Sequence, residues 1–149
     1  MKNQHLVCLF LGIAVTVLFF VFRVSAYESI YSVQGFSDQF FNADLYDMIP
    51  LLTIVIPWAA AGIYYYAINS VRFDRWYHWL VVLAVVMVVT PIVGYLINSS
   101  KFDELGVSYV AESITFELVN MVWAALLFVV ASFSIRWWSS NCRHTPIPQ

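Results

Sequence analysis

The chain has 149 residues, one domain's length, with 62% hydrophobic and 11% charged residues, a balance that an ordinary water-soluble domain does not carry. Its net charge of −2 and its seven dispersed Lys and Arg supply no clustered basic face, which sets nucleic acid aside as a partner. Cys8 and Cys142 are the two cysteines, too few for a disulfide framework, and they read as free thiols on a reducing side.

Residues 6–22 are apolar apart from Gly12 and Thr16, and at ~1.5 Å per residue such a run crosses most of a ~30 Å hydrocarbon core. This predicts the first of four spans, with Gly12 and Thr16 spaced for close helix packing. A cleaved signal peptide is the competing reading, since Val24-Ser25-Ala26 resembles a cleavage site. The length of the apolar core and the charge at Arg23 weigh against it.

Residues 24–47 form the first of two loops expected on the outer side. Tyr31, Phe36, Phe40 and Phe41 give it an aromatic surface around Gly35, expected either to pack as a short helix near 37–41 or to contact another subunit, because large apolar groups need cover. Residues 48–68 read as the second span, with Asp44 as its N-cap. Pro57 in it should kink the helix, and Ala60 and Gly62 permit close approach by a neighbour. A short inner connection, 69–78, leads to the third span, 79–97, which Asp74 is placed to cap and in which Pro91 and Gly94 offer a second kink and packing site. Residues 98–117 form the other outer loop. The fourth span is expected over 118–135, with an inner tail at 136–149.

Lys2, Arg72, Arg75, Arg136 and Arg143 fall on one side of this arrangement and only Arg23 and Lys101 on the other, which orients both ends of the chain toward the cytoplasm. Trp76, Trp79, Trp137 and Trp138 cluster at the same boundary. With Arg72, Arg75 and Arg136 they read as interface anchors, where an indole buries its ring and keeps its N–H wet. The two outer loops carry eight of the nine acids.

The segment from Ile68-Asn69-Ser70 to Phe73-Asp74 is echoed by Ile97-Asn98-Ser99 to Phe102-Asp103. We read the echo as shared punctuation, with Asn ending a helix in the left-handed conformation and Asp starting the next element. On that reading Asp103 opens a short amphipathic helix on the outer surface before the fourth span descends.

An intramembrane enzyme or a coupled transporter needs reactive, metal-binding or ionisable groups at depth. His5, His78 and His144 all fall at or beyond the inner boundary, and no metal, cofactor or catalytic constellation is expected. Glu117 and Asn120, one helical turn apart, are the nearest polar candidates, as an interhelical contact or a pore lining, with Glu117 expected at the outer interface.

The expectation is therefore an all-α membrane protein of four transmembrane helices, with short interfacial helices in the outer loops, in a bacterial inner membrane. Two function classes remain. One is a non-enzymatic subunit of a larger envelope assembly, such as a secretion or injection machine or a membrane-borne defence system, in contact with lipids, other subunits or its own copies. The other is a homo-oligomeric ion channel or pore-forming effector, and a small transporter is a lesser third reading.

Overall fold

In the computed structural model, which describes residues 2–145, four helices are long and apolar enough to cross a membrane. Helix α1 spans Lys2–Val21, and two short helices, α2 (Arg23–Glu28) and α3 (Phe36–Asn42), lead into α4 (Leu45–Gly62). A π-helical stretch, Ile63–Ile68, extends α4. Then follow α5 (Trp76–Glu104) and α6 (Val110–Ile135), and two turns of 3-10 helix, Arg136–Trp138 and Ser140–Cys142, close the described chain. The side chain of Lys2, counted among the inner bases, and residues 146–149 of the expected tail lie outside the described residues.

Helix α6 is the axis of the bundle. Of its apolar window 39% is buried, against 17% for α1 and for α5, and it packs against α1, α4 and α5. Small residues allow the approach. A Cβ on Gly12 of α1 would overlap Ser134 of α6, and one on Gly94 of α5 would overlap the Glu117 side chain. Ala124 and Ala131 of α6 and Ala61 of α4 are fully buried. With no hydrophobic drive between helices in lipid, close van der Waals contact of this kind carries much of the association.

Two expectations about the helices change. The stretch after Lys101 forms no separate surface helix: α5 continues to Glu104, Gly106 turns the chain at φ +68°, and α6 begins at Val110. The helical hydrogen-bond ladder simply continues past Asn98, because that residue finds its partners inside the bundle. Pro57 and Pro91 both lie inside continuous α-helical segments. Gly62 also meets nothing within 4 Å of an added Cβ, so the close approach expected there occurs one residue earlier, at Ala61, which is fully buried.

At the helix starts, Asp44 is the N-cap of α4 by position, in the left-handed conformation at φ 56°, but its side chain caps nothing. Asp, like Asn, tolerates that conformation as a single residue. The N-cap of α5 is Arg75 rather than Asp74.

Candidate functional site

The end of the bundle that carries α2, α3 and the α5–α6 turn is closed by aromatic packing. Tyr27 stacks on Phe116 at 4.8 Å between centroids, Phe40 lies 4.3 Å from the same ring, and Phe36 meets Phe102 edge-on at 5.8 Å. Tyr109 and Tyr46 complete the layer. Offset and edge-to-face pairs of this sort add to the area they bury. Of the two arrangements expected for this loop, Phe36 and Phe40 take the packed one and are not a contact surface: they are 1% and 0% exposed, turned inward because α3 lays them over the bundle's own end. Tyr31 is half-buried against Phe36. Phe41, 64% exposed, is the one ring of the four that faces outward. Arg23 and Asp47 form an exposed ion pair that ties α2 to α4.

The opposite end is held by the tail. Asn69 ends the π-helical stretch at φ 32°, ψ 49°, and its side-chain oxygen accepts from the Ser140 backbone N–H at 2.7 Å. Asn141 Nδ2 donates to the Tyr64 carbonyl at 2.6 Å. Two of the expected interface anchors lie inside instead. Trp79 is 6% exposed and donates through its indole N–H to Ser132 Oγ at 3.0 Å, while Arg136 is 2% exposed with its guanidinium over the Phe133 and Trp137 rings. Both are drawn inward because the 3-10 turns fold back over the bundle end. Trp76 and Trp138 are exposed, Trp137 is half-buried with its indole donating to the Phe133 carbonyl, and Arg72 and Arg75 are exposed. Among the described residues no cluster of three His, Cys, Asp or Glu side chains is placed to hold a metal.

Between these ends lies a buried polar network. Glu117 is 4% exposed and Asn120, one turn further along α6, is fully buried. Asn98 Nδ2 of α5 donates to Glu117 Oε1 at 3.0 Å, and Asn120 Nδ2 donates to Glu117 Oε2 at 2.8 Å. Asn120 Oδ1 in turn accepts from Thr53 Oγ1 of α4 at 2.6 Å and from the Tyr27 hydroxyl of α2 at 2.7 Å. Four elements therefore meet on one chain of hydrogen bonds. Glu117 is enclosed by the bundle because the missing side chain of Gly94 leaves a notch that its carboxylate fills, two turns into α6, which starts at Val110.

The carboxylate is not matched by a cation. Among the described residues no Lys, Arg or His pairs with it; Arg23 and Lys101 pair with Asp47 and Glu104. Two further oxygens on the same face of α5, Thr90 Oγ1 and Asn98 Oδ1, are buried with no hydrogen-bond partner. A lateral groove of about 240 Å³ lies between the two helices, lined by Pro91, Ile92, Tyr95 and Leu96 of α5 and by Ile114, Glu117 and Leu118 of α6.

Glu117 and Asn120 stand out in the sequence as the polar pair of an apolar helix. Asn98, Thr53 and Tyr27 do not, since each is a lone polar residue on a different element and no spacing links them. Comparison with protein-family models, curated proteins and solved structures finds no match to this chain.

Proposed function

We propose that the chain is a non-enzymatic integral membrane subunit that helps to build a larger envelope assembly through its lateral helix faces and its ends. One observation supports this reading most. The polar groups buried among the helices are engaged chiefly with one another: Glu117, Asn98, Asn120, Thr53 and Tyr27 form a single internal network. Such a network fixes the bundle's geometry, as interhelical hydrogen bonds do in lipid at ~0.6–2 kcal/mol each. It arranges no nucleophile with a base and no second carboxylate. A rigid four-span unit with little mass outside its helices acts by what it touches. The cytoplasmic placement of both ends and the bacterial inner membrane, which the basic and Trp-rich end favours, belong to the same proposal, as does membership of an injection or defence system.

The test is affinity purification of the tagged full chain in mild detergent from its native host. The proposal expects other membrane gene products at fixed stoichiometry, lost when Val81→Lys or Val88→Lys charges the exposed face of α5, where both residues are more than half exposed. Recovery of the chain alone, in a form that conducts ions in liposomes, contradicts it and favours the channel reading.

A further inference from the structure

The groove between α5 and α6, with the helix contact that flanks it, combines three features that no purely packed helix pair needs. Its walls are apolar, from Pro91, Ile92, Leu96, Ile114 and Leu118. A carboxylate with no paired cation reaches it. Each Glu117 oxygen accepts one bond from a neutral amide, and a carboxylate has about four acceptor sites, so both oxygens retain capacity, and no Lys, Arg or His among the described residues compensates the group when it is ionised. Finally, Asn98 Oδ1, on the very amide that donates to Glu117, is fully buried and unpartnered, and Thr90 Oγ1, one turn to the other side of Gly94, is also buried and unpartnered. On an α-helix, residues four apart lie on one face, so Thr90, Gly94 and Asn98 form a single row with the Glu117 carboxylate laid across its middle.

A group that completes this site carries positive charge, N–H donors for oxygen acceptors, and an apolar body. Burying a lone charge in low dielectric is costly unless it is paired and hydrogen-bonded, and sites of about this size are typically apolar with a few convergent polar groups. We propose that the α5–α6 groove binds a small lipophilic primary amine as its ammonium, with the ammonium at Glu117 and the apolar body along Ile92, Leu96 and Leu118. The groove faces the side of the bundle, so the ligand arrives through the lipid. The inference is independent of the assembly reading, since either can hold without the other.

The probe is radiolabelled 2-phenylethylamine, bound to the full chain in phosphatidylcholine nanodiscs at pH 7 with empty discs subtracted, and 2-phenylethanol is its uncharged counterpart. The expected result is saturable binding of one amine per chain, at least tenfold weaker in Glu117→Gln and at least tenfold better than competition by the alcohol. Glu117→Gln should fold, because Asn98 can turn its unpartnered oxygen toward the new amide; an unchanged thermal melt checks this. Leu118→Trp fills the groove from its exposed rim without touching the network, and should also abolish binding. Equal binding by wild type and Glu117→Gln, equal competition by the alcohol, indifference to Leu118→Trp, or no saturable binding overturns the proposal. So does crosslinking of Leu118 to another protein's membrane helix in place of amine binding, which would make the groove a docking face.

Discussion

A methyl group added at Gly94 falls on the Glu117 carboxylate, whereas one added at Gly62 meets nothing within 4 Å. Gly94→Ala should therefore push the carboxylate out of its notch and cost about 1–3 kcal/mol, the usual penalty of overpacking. Gly62→Ala should be neutral or stabilising by up to about 1 kcal/mol, since Gly in a helix is entropically costly. Thermal unfolding of the two variants in detergent checks the pair, and equal effects would remove Gly94 from the site. Asn120→Leu deletes the residue that accepts from Thr53 and Tyr27 while donating to Glu117. It should cost about 1–3 kcal/mol by leaving buried partners unsatisfied, and a double-mutant cycle with Thr53→Val should show coupling of roughly 0.5 kcal/mol or more. Little of this network could be read from the sequence. Charge and hydropathy picked out Glu117 and Asn120 but not the burial of Glu117 against α5, because a sequence window cannot register that Gly94 on another helix leaves room for a carboxylate.

At the scale of elements, hydropathy located all four long helices and missed how far they extend. The third was read as 79–97, and α5 is Trp76–Glu104. Its extra turns are polar in composition yet packed on one side, through Asn98 and Phe102, and partners supplied by α3 and α6 carry no local signature. The Asn69 and Asn98 echo illustrates the same limit. At Asn69 the residue stops the helix in the left-handed conformation; at Asn98 an identical local sequence stays helical, because its side chain bonds Glu117. Tertiary partners, not the tripeptide, decide. Asn69→Ala should consequently loosen the tail, since it removes both a residue suited to positive φ, worth about 1–2 kcal/mol, and the acceptor for Ser140. Hydrogen exchange should speed up at the amides of residues 139–145 while the α5 and α6 amides stay protected. Unchanged exchange would mean that the tail is held by other contacts.

At the scale of the whole molecule, the helices enclose polar groups and leave many apolar side chains exposed. Leu11, Val55, Val85, Val88 and Leu126 are each at least half exposed, as befits helices whose solvent is lipid. The orientation proposed from the basic and Trp-rich end predicts that a cytoplasm-dependent reporter fused after Gln149 is active; activity only from an exported reporter would invert the topology. Because the buried polar groups bond chiefly to one another, the proposed role rests on contacts with neighbours. Native mass spectrometry of the full chain released from its own membrane tests this most directly. An assembly subunit should appear in a complex whose mass is not a whole multiple of the 17.1 kDa chain. A mass that is a whole multiple, with every subunit identified as this chain, would contradict the account and leave a homo-oligomer in its place.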